Sequence, residues 1–231
     1  MPIYYTQTQT KTYNFDFQAY LESDVLKNAF GHLSFYPSWI KYWCDELNAR
    51  DKVELEYARL NPNTNPVLKR YLIEKRKIEV FRHELITVAG KYIFQYDVDR
   101  LKNFVRQVSL QVQKIDTSTI FVDPNTKFSR NKINDNRLPI LVRDFGTEYP
   151  FTCIDGNKRI HANLRLNKKK AIDAYVLNPE HSKHFFFRSL DHAFYILNYE
   201  IQMMSLEMSS SFDESKVLAC TQMYQEENAR V

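Results

Sequence analysis

A chain of 231 residues, 44% apolar and 26% charged, can build a core and is far from the composition of a disordered segment, while its length leaves one or two domains open. A net charge of +4 is too small for a protein that coats nucleic acid through phosphates alone, and leaves nucleic acid open as a partner. Cys44, Cys153 and Cys220 are odd in number and far apart, which argues against a disulfide framework or structural zinc; the start is not leader-like and no run of about 18 apolar residues occurs, so a cytoplasmic chain away from membranes is expected.

With only 4 glycines and 8 prolines, helices should predominate. Residues 1–12 are polar and Thr/Gln-rich and read as a frayed start or an edge strand. From Asp16, Phe17, Tyr20, Leu21 and Leu26 keep to one helical face, and after Pro37 the pattern repeats in Trp39, Ile40, Tyr42, Trp43 and Leu47. The Asn/Pro-rich stretch 61–66 is a loop, ending with Asn65 as N-cap and Pro66 at the first helical position. A long helix is expected to follow on Val67, Tyr71, Ile78, Phe81, Leu85 and Val88, with Gly90 as its terminator.

Past Asp97 a short amphipathic helix (Val98, Leu101, Val105, Val108) gives way to a period of two. Val112, Ile115 and Ile120 to Val122 predict strands broken by a turn at Asp116, Thr117 and Ser118. Residues 123–138 form a polar loop long enough to invite a functional explanation. Two strands, 140–142 and 151–154, are joined hairpin-fashion through 144–148, and a third runs over 172–177. A long apolar helix is expected over 182–208, carrying Phe185, Phe186, Leu190, Phe194, Leu197, Ile201 and Met204; a Ser-rich step then precedes a last short amphipathic piece.

The turn IDGNKR, residues 154–159, joins a buried strand to a helix beginning near Asn157. The first N–H groups of a helix lack intrahelical partners and carry partial positive charge, so an anion is favoured there. Gly156 supplies the backbone freedom such a turn needs. Lys158 and Arg159 place two cations where the helix dipole opposes them by about 0.3 to 1 kcal/mol each. A local rule broken in this way points to an anionic ligand.

The order PILVRD, a short hairpin, YPFTCIDGNKRIHAN and then AIDAYVLNP resembles the ParB/sulfiredoxin-like superfamily over about residues 110–180. In that superfamily a strand, a Gly-x-x-Arg turn, a helix and a further strand build a phosphate pocket. The resemblance implies a small mixed sheet with helices over about 110–180; with the helical patterning read on either side, an α+β protein is expected, with a helical region (1–109) before that domain and a long C-terminal helical region (181–231) after it. The resemblance also implies that Gly156 and Arg159 grip phosphate, with Asp155, Asn157 and Lys158 lining the same turn. Members serve several chemistries, so fold alone does not select one. Asn157 stands where sulfiredoxins carry their nucleophilic cysteine, and the partition proteins' Glu-Asn-x-x-Arg element has no counterpart in NPEHSKHFFFRSL. The Asp-Gly-Asn-Lys-Arg turn is nearer to the Asp-Gly-His-His-Arg of the kinase-like branch.

The resulting expectation is a nucleotide-binding protein of bacterial or mobile-element type, with ATP or CTP bound together with Mg²⁺ and no protein-held metal site. Whether it is an enzyme is left open; if it is, phosphoryl transfer or nucleotide or phosphodiester hydrolysis would be its chemistry, with Asp155, Asp116 and Asp123 as catalytic candidates. In that superfamily the polar loop lies close to the nucleotide, which implies that one of Arg130, Lys132 and Arg137, with Arg130 ranked first, completes the pocket or touches a polyanionic substrate. The rival is a DNA-binding or adaptor module whose turn holds a backbone phosphate without catalysis. Whether the chain self-associates is left open. His161 reads as structural, His181 and His184 as a weak metal pair, and Lys168 to Lys170 as a solvated run. Cys153, inside an apolar strand, reads as a core residue.

Overall fold

The computed structural model describes residues 15–60, 78–167, 170–210 and 213–228. The polar start, the 61–66 loop with its Asn65 cap, the first part of the helix expected after Pro66, and Lys168 and Lys169 lie outside the described residues. Helices and small sheets combine into an α+β protein. Its residues form two compact units that alternate along the chain. One contains the described residues up to Ile78, Arg82–Gln95 and those from Phe187 onward; the other contains Glu79–Phe81 and Tyr96–Phe186.

The first unit is mainly helical, with α1 (Phe17–Leu21), α2 (Asp24–Phe30) and α3 (Tyr36–Leu60). Asp16 caps α1 by accepting from Ala19 N at 3.0 Å. Trp39, Trp43 and Leu47 recur every four residues on α3 and are fully buried, as the sequence pattern predicts. Phe15, Phe17, Tyr92, Phe94 and Phe194 add an aromatic cluster, its ring centroids 4.3 to 6.1 Å apart.

Two expected helices are corrected. Residues expected to continue a helix up to Gly90 instead form β1 (Val80–Thr87), paired with β2 (Gly90–Asp97). Phe81 and Leu85 are four apart, a spacing that suits a helical face and a strand face equally, and the buried alternation of His83 and Leu85 is that of a strand. Gly90, with φ 121°, opens the returning strand and ends no helix. The helix expected from 182 begins only at Ser189, as a 22-residue helix running to Ser210. Ahead of it lies a 3₁₀ turn, Pro179–His184. Phe185 and Phe186 are held off the helical path because Asp97 N donates to Phe185 O at 2.8 Å and Phe186 bridges to Tyr96.

The second unit carries α4 (Val98–Gln107) and five strands: β3 (Val112–Asp116), β4 (Ile120–Phe121), β5 (Ile140–Arg143), β6 (Phe151–Asp155) and β7 (Ala171–Leu177). Their order is β3-β7-β5-β6-β4. The β5/β6 and β3/β7 pairs are antiparallel, while β5/β7 and β4/β6 are parallel, so the expected hairpin is present within a mixed sheet. Between β6 and β7 the chain forms α5 (Asn157–Ala162) and continues through a π-helical turn, Asn163–Asn167. Ile160 of α5 packs on Ile115, Leu141, Cys153, Ile172, Ala174 and Val176 of the sheet, which fixes the start of α5 at the end of β6.

Candidate functional site

At the end of β6, Gly156 takes φ 112°, a left-handed conformation in which a side chain is strained. A Cβ there would also lie 2.9 Å from Arg159 Nη2 and 2.9 Å from Pro139 Cβ. Glycine is thus required both for the turn and for the guanidinium that passes beneath it. Gly156 O accepts from Arg159 N and Ile160 N at 2.8 and 3.0 Å, which starts the helix.

Arg159 folds back toward the strand it follows and is 5% exposed. Its Nη2 donates to Asp155 Oδ2 at 2.6 Å, with Leu138 O at 3.5 Å, and Nη1 lies 3.8 Å from Asp135 Oδ1. Its Nε is buried without a hydrogen-bond partner among the described residues. The cation at 159 is therefore balanced from within the turn by Asp155, four residues back, and the argument from the helix dipole does not carry over to it. The α-helix itself is only six residues long, so charge at this site comes mainly from side chains. Lys158 is exposed and makes no ion pair among the described residues.

These groups line one cavity of about 310 Å³ within the second unit, at the small end of the range for ligand sites. Lys132 and Arg137 reach it from the polar loop, and Glu79, Thr126 and Asp135 complete its polar wall. Arg137 grips Asp135 through Nε and Nη2 at 2.9 and 2.7 Å, and Lys132 Nζ stands 3.2 Å from the same carboxylate. That pairing, Arg137 first, holds the Asp135 carboxyl well below the usual carboxylate range. Lys102 Nζ lies 2.5 Å from Glu79 Oε2 and 3.4 Å from Asp155 Oδ1. Four cations and three carboxylates thus share the lining.

Of the residues expected at the site, Asp155, Gly156, Asn157, Lys158 and Arg159 all line this cavity. Arg130 does not; it opens the 3₁₀ turn Arg130–Asn134 and is exposed, whereas Lys132 and Arg137 of the same loop do line it. Asp116 and Asp123 also lie off the lining. Asp116 caps a short turn by accepting from Ser118 N and Oγ at 2.8 and 2.7 Å, bonds that lower its pKa. Asp123 Oδ1 accepts from Asn125 N at 2.9 Å. The Asn157 amide is committed to the fold: Oδ1 accepts from Asp123 N at 2.9 Å and Nδ2 donates to Cys153 O at 2.8 Å.

Cys153 is fully buried, and burial pushes its thiol well up, which is the chemistry of a core residue. His181 Nδ1 accepts from Asn178 N at 3.2 Å, and His184 stacks on Phe104 at 4.5 Å. Among the described residues no group of three or more His, Cys, Asp or Glu side chains is arranged to hold a metal, and no helix is long and apolar enough to cross a membrane. Asp135, Glu79 and Lys102 are the residues that sequence reasoning missed. Only Asp135 had a local signal, its place two residues before Arg137 in a polar loop; Glu79 sat in an expected helix. No protein-family model, curated protein or solved structure matches the chain.

Proposed function

We propose that the second unit is a nucleotide-binding module of the ParB/sulfiredoxin-like kind, taking phosphates into the cavity beneath the Asp155–Arg159 turn. The observation that carries this is the convergence of Lys132, Arg137, Lys158 and Arg159 on one cavity, with Lys158 unpaired and Arg159 keeping a buried unpartnered Nε among the described residues. An entering phosphate offers oxygens to both. The strand, Gly-x-x-Arg turn, helix and strand order within a mixed sheet supports the same reading.

The carboxylates do not fit a protein-held Mg²⁺ site. Asp155 is taken by Arg159 and Lys102, and Asp135 by Arg137 and Lys132, so a cation would arrive as the companion of the nucleotide. Phosphoryl transfer or phosphodiester hydrolysis would call on Asp155, the one of the three catalytic candidates that lines the cavity.

The test is a thermal-shift panel of ATP, CTP, GTP and ADP with Mg²⁺ on the parent and on Lys158→Glu. A nucleotide at about 100 times its dissociation constant should stabilise the parent by roughly 2.7 kcal/mol. Lys158→Glu should weaken that affinity at least about tenfold, while the unliganded protein changes by less than about 0.5 kcal/mol. Arg159→Ala is a poorer probe, because it strands Asp155 and destabilises the turn. A DNA-binding module would instead ignore every nucleotide and bind oligonucleotides with a steep salt dependence. Silence toward both would end the reading.

A further inference from the structure

A second cavity, of about 520 Å³, lies in the same unit beside the edge strand β4. Its wall contains Phe121, Tyr149, His161 and Leu164, with Thr117 and Ser118 at the polar end. No carboxylate lines it, in contrast to the first cavity. The Phe121 and Tyr149 rings stand 6.0 Å apart and tilted by 57°, so one broad aromatic face is offered, without a closed sandwich. Among the described residues neither the His161 imidazole nor the Tyr149 hydroxyl has a hydrogen-bond partner. Aromatic faces with unspent hydrogen-bonding groups beside them suit a flat, polar-edged ring better than an aliphatic chain.

The two cavities are separated by shared elements. Val122 and Pro124 line the second and Thr126 the first; on the helix, His161 and Leu164 line the second while Asn157 to Arg159 line the first. Lys158 and Leu164 lie on one continuous segment, α5 running into the π-helical turn. Arg165 lies beyond, its guanidinium 5.3 Å over the exposed Phe128 ring.

We infer that the second cavity is a nucleobase subsite, in which a purine or pyrimidine ring stacks on Phe121 or Tyr149 and takes a hydrogen bond from His161, its sugar and phosphate leading over α5 toward Lys158. The base half of this inference stands on the second cavity alone; the direction of the sugar-phosphate rests on the phosphate reading of the first. The base of a free nucleotide and an unpaired base of a nucleic-acid strand present the same ring.

The experiment uses the full chain with adenosine, guanosine, cytidine and thymidine, the matching 5′-monophosphates, and a short single-stranded oligodeoxynucleotide. Binding is followed by the NMR shifts of the His161 imidazole and Tyr149 ring. At least one nucleoside should move both sets of resonances. Leu164→Trp, at a position 37% exposed, should fill the cavity and weaken nucleoside binding about tenfold without lowering the thermal midpoint. Tyr149→Ala should weaken it comparably, as a second variant on a different element. Lys158→Glu should weaken the monophosphates and leave the nucleosides unchanged, so loss of the phosphate site and loss of the base site give different patterns. An oligonucleotide at least tenfold tighter than its monophosphate assigns the ring to a strand; the reverse assigns it to free nucleotide. Nucleosides that shift neither residue, or that bind Leu164→Trp as well as the parent, would overturn the inference.

Discussion

Gly156 and Arg159 are mutually dependent, because the guanidinium occupies the space that any Cβ at 156 would take. Gly156→Ala should therefore cost about 1 to 3 kcal/mol through its positive φ, and should displace Arg159 as well. Urea unfolding measures the first effect and nucleotide titration the second, which is expected to be a loss of affinity. At this scale the sequence was readable where partners are local. Asp155 and Arg159 are four residues apart, and the glycine turn announces itself. Asp135 and Lys102 meet the turn only through the tertiary fold, and no spacing along the chain links them to it.

Elements were legible where a single period was available. The five-stranded sheet follows from alternating apolar runs broken by turn residues, and α3 from its Trp39, Trp43 and Leu47 stripe. The β1–β2 hairpin was misread because Phe81 and Leu85 satisfy both periods. The early start given to the Ser189–Ser210 helix overlooked pairing between Phe186 and Tyr96, a contact made far along the chain. Asn157 ties elements together in a way its position in the motif conceals. Its amide joins the 123–126 segment to β6, so Asn157→Ala should cost about 1 to 2 kcal/mol by leaving Asp123 N and Cys153 O without that partner. Amide hydrogen exchange should quicken in the 123–137 loop more than in β5 or β7.

For the molecule as a whole, the division into two interleaved units was not readable, since compactness depends on contacts between segments far apart in sequence. The first unit also holds two acids, Glu200 and Glu54, whose surroundings the pattern of apolar residues cannot reveal. Glu200 accepts from Trp39 Nε1 and Trp43 Nε1 at 3.0 Å each and from Met223 N at 3.1 Å; burial nonetheless pushes its pKa up to about 7. Glu54 is pushed up to about 8, by burial first and then by Asp191, whose carboxylate holds Arg188 at 2.8 Å while Glu54 stands 3.6 Å from it. Both acids have folded values above the ordinary 4.5, so between that value and about 7 or 8 the folded protein keeps protons that the unfolded chain has released. Stability should then fall as pH rises through this window, by at most about 1.4 kcal/mol per pH unit for each proton. Glu54→Gln, which retains an acceptor for Leu190 N, should flatten the slope in urea unfolding compared at pH 5 and pH 8.

The burial of Cys153 gives the second unit a built-in clock. Cys44 and Cys220 are partly exposed in the first unit, whereas Cys153 sits with no exposed surface beneath α5. A thiol reagent should therefore modify the chain in two stages, and the slow stage measures how often the sheet parts from the helix that follows the Gly156 turn. A nucleotide bound at that turn should lengthen the slow stage and leave the early one unchanged. Opening of the site would then be timed without attaching any probe.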